Sequence, residues 1–178
     1  MNGKKENSRR LAVFLLLLSA FAGILLAATN SMTKESILAQ KTAEINTSLN
    51  AVLPQADQFA YLTTEASGTM VYQGTKAGRG VGCAAIVYPN GYNGPITLAV
   101  GINLKNEISG IKVIHLSETP GLGDKVKSTG FLNQFINKGS KDPLVPKQDI
   151  QAITGATIST RAICSGVRLA LDTVLSRR

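Results

Sequence analysis

The sequence has no tryptophan, one histidine, two cysteines, five phenylalanines and four tyrosines among its 178 residues, and each scarcity removes a class of function. His115 stands alone, and no group of carboxylates replaces a His-rich metal site, so no bound metal is expected. Cys83 and Cys164 lie far apart without metal-ligand spacing, which excludes an iron–sulfur cluster or a structural zinc. They are compatible with a disulfide in an oxidising compartment and equally with two buried free thiols. No dinucleotide-binding fingerprint is present either. The net charge of +8 invites a nucleic-acid reading, but the charge is badly placed for one. Lys4, Lys5, Arg9 and Arg10 belong to the N-terminal flank, and the other basic residues are scattered singly. With few aromatics and no binding module, no nucleic-acid partner is expected.

What is present begins with a long apolar run. Leu11 to Ala28 is broken only by Ser19, long enough to cross a bilayer as a helix. A cleaved signal peptide usually has a shorter apolar core ending in small residues, whereas Leu25 and Leu26 crowd the end of this one. No lipid-accepting cysteine comes after it. The run therefore reads as a retained anchor, with residues 1–10 in the cytoplasm because four basic residues precede it against Glu6 alone. The rest faces outward, the periplasm of a two-membrane bacterium. Residues 29–55 read as a stalk helix: Ser31 offers a cap, Ile37, Ile45, Leu49 and Val52 recur at helical spacing, and Pro54 ends it.

Residues 56–178 are enough for one globular core. Ala56 to Gly80 has a weak pattern, with Met70-Val71-Tyr72 its best strand. Val81 to Tyr88, Ile96 to Ile102 and Ile108 to Leu116 then read as strands, joined by the turn formers Pro89 to Pro95 and by Lys105-Asn106-Glu107. Val126 to Asn137 reads as a helix burying Phe131, Phe135 and Ile136, and Pro143 and Pro146 break the next stretch. Ile163, Val167, Leu171, Val174 and Leu175 form one stripe of a C-terminal helix, with Arg161, Arg168 and Asp172 off it. Antiparallel strands flanked by helices predict an α+β domain.

Two stretches carry candidate chemistry. Thr154-Gly155-Ala156-Thr157-Ile158-Ser159-Thr160 packs hydroxyls around one glycine just before the C-terminal helix. Ordinary capping explains such a cluster. The same position also suits a phosphate, because the first N–H groups of a helix lack partners and its N-terminus is electropositive. The loop Glu118-Thr119-Pro120-Gly121-Leu122-Gly123 is stiffened by Pro120, and Gly121 and Gly123 permit positive φ. It reads as a turn, or as a cradle whose N–H groups meet the carbonyls of a planar ring while Leu122 packs on its face. His115, just before it, suits a structural strand end or a contact with such a ring.

Taken together, these motifs resemble the FMN-binding domain of the Rnf and Nqr electron-transport complexes, and most of all the G subunit of the Rnf complex. The N-terminal anchor, Gly91-Tyr92-Asn93-Gly94-Pro95-Ile96 leading into Val100-Gly101-Ile102, the 118–123 loop and Thr154 to Thr157 carry the resemblance over essentially the whole chain. The related C subunit of the Nqr complex shares the last two motifs and is typically longer. The resemblance implies FMN joined by a phosphoester to Thr157, placed there by a flavin transferase that uses FAD. Thr154, Gly155, Ala156 and Ile158 would flank its phosphate and ribityl chain, and Glu118, Thr119, Pro120, Gly121, Leu122 and Gly123 its ring. It also implies partners among the membrane and peripheral subunits of a complex in which ferredoxin and NAD⁺ exchange electrons while Na⁺ or H⁺ crosses the membrane. The usual motif has an Asp three residues before its first hydroxyl residue, where this chain has Gln151; Asp149 is out of register. The alternatives are an Nqr-type subunit of an NADH-driven pump and a membrane-anchored binding or sensor domain without covalent flavin.

Overall fold

The computed structural model describes residues 2–65 and 68–177. The chain divides into two units, Met1–Ala43 and Glu44–Arg178. Helix α1 (Asn2–Val52) occupies the first and ends in the second. Within it, Arg10–Lys34 is long and apolar enough to span a membrane, and Leu15, Leu16, Phe21 and Leu26 are all exposed. Ser19, Thr29 and Thr33 return their hydroxyls to the carbonyls of Leu16, Leu25 and Thr29 at 2.9, 2.9 and 2.8 Å. Hydroxyls inside an apolar span are thereby satisfied within the helix itself. Ser31, the expected cap of a separate stalk, instead sits inside this one uninterrupted helix. Neither glycine nor proline falls between Ala28 and Val52 to break it.

The second unit is built on a sheet of strands β1 (Gln58–Thr64), β2 (Met70–Lys76), β3 (Arg79–Val87), β4 (Thr97–Asn103) and β5 (Ile108–His115). They pair in chain order, every pair antiparallel. Both faces are covered. Ala84, Ile86 and Ala99 meet Leu49 and Val52 of α1. Ala85, Val87, Leu98 and Val100 meet the opposite layer, where Ile163, Val167 and Leu171 lie on helix α3 (Thr157–Leu175). Burial on both sides explains why β3 and β4 are apolar runs rather than alternating patterns.

β1 was not legible in the sequence. It is an edge strand with a bulge between Tyr61 and Thr63, and most of its residues are exposed, so no alternation marks it. The helix expected over 126–137 is broken instead. A 3-10 turn at Gly123–Lys127, the single turn α2 (Thr129–Leu132) and another 3-10 turn at Asn133–Phe135 succeed one another. Ser128 adopts an extended conformation at the first junction, with ψ 139°. The expected core contacts survive, with the Phe131 and Phe135 rings edge to face at 5.6 Å. Cys83 and Cys164 are free thiols. Burial, aided by the charge of Asp149, pushes the Cys164 thiol up to about 12, so it stays protonated and unreactive.

The end of α1 is seated by close backbone approach. Gly101 on β4 pairs with Gly110 on β5, and a side chain on Gly101 would collide with the Val52 carbonyl. That carbonyl, one of those a helix terminus leaves unpaired, accepts a hydrogen bond from the Ser109 hydroxyl at 2.8 Å. Gly101→Ala should therefore destabilise the domain by about 1–3 kcal/mol through overpacking. The urea midpoint of the detergent-solubilised protein measures it, and an unchanged midpoint would contradict the close approach.

Candidate functional site

Two turns of the same kind face each other at one end of the second unit. Thr119-Pro120-Gly121-Leu122 is closed by the Leu122 N–H to the Thr119 carbonyl at 3.2 Å, with Gly121 at φ 78°. Ile153-Thr154-Gly155-Ala156 is closed by the Ala156 N–H to the Ile153 carbonyl at 3.0 Å, with Gly155 at φ 79°. Positive φ at the third residue is the mark of a type II turn and favours glycine, and proline suits the second position. The turns touch: a side chain on Gly155 would come within 3.1 Å of Leu122 Cδ2.

Between them opens a cleft of about 480 Å³ lined by Tyr92, Glu118, Thr119, Leu122, Gly123 and residues 155–159. Of the residues expected at a site, Glu118, Thr119, Leu122, Gly123, Gly155, Ala156, Thr157 and Ile158 meet here. Pro120, Gly121 and Thr154 do not line the cleft; they build its turns. Tyr92 and Ser159 line it and were not among the expected site residues. Both stood inside motifs the sequence displayed, and the signal for Tyr92 was its place in the Gly91 to Ile96 turn. His115 ends β5, exposed and outside the lining.

The floor of the cleft is a buried carboxylate. Glu118 is 6% exposed, and its Oε1 accepts the N–H groups of Tyr92 at 2.8 Å and Asn93 at 3.3 Å. Its Oε2 accepts the Ser159 hydroxyl at 2.6 Å. One side chain thus ties the β3–β4 connection to the first turn of α3. Gly123 does not take the positive φ the sequence allowed. Its role is space, since a side chain there would lie 2.6 Å from Glu118 Oε2 and 3.0 Å from Ser159 Oγ.

The hydroxyl cluster does not cap α3. The N-cap is Ala156, with no side-chain cap bond, and the first intrahelical bond runs from Thr160 N–H to the Ala156 carbonyl. Thr160 Oγ1 donates to that same carbonyl at 2.8 Å and accepts the Ile153 N–H at 3.3 Å. Thr157 is the first helical residue, exposed and on the cleft. The N–H groups of residues 157–159 belong to the turn that no helix can pair internally.

The approach to this turn is organised by Asp149. Its carboxylate accepts the N–H groups of Leu144 and Val145 at 3.1 and 2.7 Å and pairs with Lys138 at 3.2 Å. Gln151 is held separately, its N–H donating to Gln134 Oε1 at 2.6 Å. Asp149 therefore closes its own loop and stays out of the cleft lining.

With this geometry in view, the comparisons with known proteins are specific. Residues 91–172 match the FMN-binding domain family, a span that contains every residue lining the cleft. The chain is 35% identical to the G subunit of the ion-translocating oxidoreductase complex of Shewanella baltica, over 93% of this chain and 87% of that one. It is 32% identical to the G subunit of the Na(+)-translocating ferredoxin:NAD(+) oxidoreductase complex of Acetobacterium woodii, over 92% and 89%. The chain belongs to the family of G subunits of ion-translocating oxidoreductase complexes. It is a membrane-anchored flavoprotein whose cofactor is FMN and whose task is electron transfer. The crystal structure of Shewanella oneidensis NqrC shares the fold, with a TM-score of 0.51 and 19% identity over 70% of this chain and 71% of that one.

Two outcomes are expected from the pinned carboxylates. Glu118→Ala removes three hydrogen bonds to a buried charge and should cost about 2–3 kcal/mol, read as a lower urea midpoint; a midpoint equal to the parent's would show the staple to be idle. For Asp149, burial opposes ionisation, but the Val145 N–H, the Lys138 ammonium and the Leu144 N–H outweigh it and hold the carboxyl below its usual range. A depressed folded value contributes stability above the unfolded one, and the contribution vanishes as pH falls through the folded value. Asp149→Asn should therefore cost about 2 kcal/mol at neutral pH and progressively less in strong acid. Midpoints at both pH values check this, and a gap independent of pH would contradict it.

Proposed function

We propose that this protein carries FMN covalently, joined by a phosphoester to the Thr157 hydroxyl, and relays electrons between partner subunits outside the cytoplasm. The observation that carries the reading is the position of Thr157: exposed, first in α3, and on the cleft between the two turns. The residues present fit the group. The unpaired N–H groups and the positive end of α3 favour a phosphate at this residue. The absent side chain of Gly155 and the small one of Ala156 leave room beside it, and Leu122 and Ile158 offer apolar surface to a ring. About 480 Å³ is an ordinary size for a cofactor cleft. Glu118, Thr119 and Gly123 would border the ring, with Pro120, Gly121 and Thr154 acting through the turns they form.

When bound, the flavin supplies the redox chemistry, and the protein supplies position and surroundings. Attachment would be the work of a separate flavin transferase, with Thr157 as acceptor during maturation only. The names of the two relatives above, both G subunits, support an Rnf-type complex over an Nqr-type one, with ferredoxin and NAD⁺ as the terminal couple handled by other subunits. Lys4, Lys5, Arg9 and Arg10 ahead of the span support a cytoplasmic N-terminus and an outward-facing domain.

Denaturing gel electrophoresis tests the attachment. The full chain, produced with a flavin transferase, should fluoresce as a flavin-bearing band, and Thr157→Ala should abolish the band's fluorescence. A dark parent band despite an active transferase would overturn covalent attachment.

A further inference from the structure

The cleft has a wall that the turns and Thr157 do not account for. Tyr92 lines it and is 69% exposed, a large aromatic side chain left mostly in solvent. Its backbone, in contrast, is fixed. The Tyr92 and Asn93 N–H groups both end on Glu118 Oε1, and Asn93 Nδ2 donates to the Ser117 carbonyl at 2.8 Å. Gly91 lets the chain pass so close that a side chain there would collide with Glu118. The Gly91 N–H closes the turn on the Gly94 carbonyl at 2.8 Å. The same carboxylate holds Ser159 in the first turn of α3. Tyr92 is thus held by main-chain bonds in register with the helix that carries Thr157.

Resting on the attachment reading above, we propose that Tyr92 is a ring-positioning residue whose phenol packs against the isoalloxazine of FMN carried on Thr157. Aromatic faces stack in offset or edge arrangements that bury apolar area at little entropic cost. A pinned backbone with an uncommitted ring suits that task. The composition makes Tyr92 unusually easy to test. The chain has no tryptophan and four tyrosines, and Tyr92 alone among them lines the cleft. A phenol in van der Waals contact quenches flavin emission by donating an electron to the excited ring and taking it back. Phenylalanine has nearly the same shape and does not quench.

The experiment compares flavin emission of the detergent-solubilised full chain before and after denaturation. Parent, Tyr92→Phe, Tyr92→Trp and Tyr88→Phe are each produced with the transferase and normalised to flavin per chain. The parent should brighten several-fold on denaturation. Tyr92→Phe should already be bright when folded, Tyr92→Trp should remain quenched, and Tyr88→Phe, outside the cleft, should behave as the parent. Equal native emission from parent and Tyr92→Phe, with flavin present in both, overturns the Tyr92 contact alone. A parent carrying no flavin after denaturation overturns the attachment reading, and the contact with it.

Discussion

A carboxylate taken out of water is expensive unless donors replace the water it loses, and the geometry of this domain's cleft can be traced to how Glu118 meets that requirement. Three donors surround it, two from the backbone of the β3–β4 connection and one from the Ser159 hydroxyl. These elements are far apart in sequence, so satisfying one charge fixes their mutual position. The requirement propagates to the glycines. Side chains at Gly91 or Gly123 would enter the volume the carboxylate occupies. What reads in the sequence as a stiff turn or cradle is therefore also a tightly specified contact, in which two glycines are set by space and Gly121 by its left-handed backbone.

Much of the sheet was legible because β3 and β4 are largely apolar runs and β5 recurs with isoleucine and valine after a turn, and α3 because its buried stripe is unbroken from Ile163 to Val174. Legibility failed where a residue's role depends on a distant partner. β1 is an edge strand whose half-buried positions, Phe59 and Thr63, are too few to show a period. The 126–137 segment keeps helical spacing of its apolar residues but cannot hold one helix through the extended Ser128. The uninterrupted α1 was obscured for the opposite reason: Ser31 has the chemistry of a cap but lies inside a helix that neither glycine nor proline breaks between Ala28 and Val52. Tyr92 stood in a turn motif the sequence displayed, but its place on the cleft depends on the long-range bond from its N–H to Glu118, which no local pattern reveals.

The hydroxyl cluster shows how a composition signal can be right about importance and wrong about mechanism. Capping would have assigned its hydroxyls to the helix N–H groups. Instead Ser159 goes to Glu118, Thr160 bridges Ile153 and Ala156, and Thr154 takes the second position of a turn. The hydroxyls of Ser159 and Thr160 are spent on holding the structure together, and Thr154 serves it through the backbone of its turn. Thr157 remains at the surface of the cleft, beside N–H groups that no cap has claimed. A modification there disturbs none of the bonds that shape the site, which is the property an attachment residue needs.

Covalent attachment changes what the rest of the site must accomplish. A freely exchanging flavin needs enough contacts to resist dilution, which calls for a deep and closed pocket. A tethered one keeps its local concentration whatever the intrinsic affinity, so the cleft can stay open, walled by the half-exposed Leu122 and Ile158 and the exposed Tyr92. An accessible ring suits electron exchange with another subunit, where approach matters more than enclosure. Helix α1 applies the same principle to the protein. An apolar segment long enough to span the bilayer holds the domain to the membrane, so partners there meet it at high local concentration without a large interface. On the attachment reading proposed above, two restraints, a tether on the cofactor and an anchor on the domain, would relieve the surface of the need for tight binding and leave it free to bring the ring within reach of its partners.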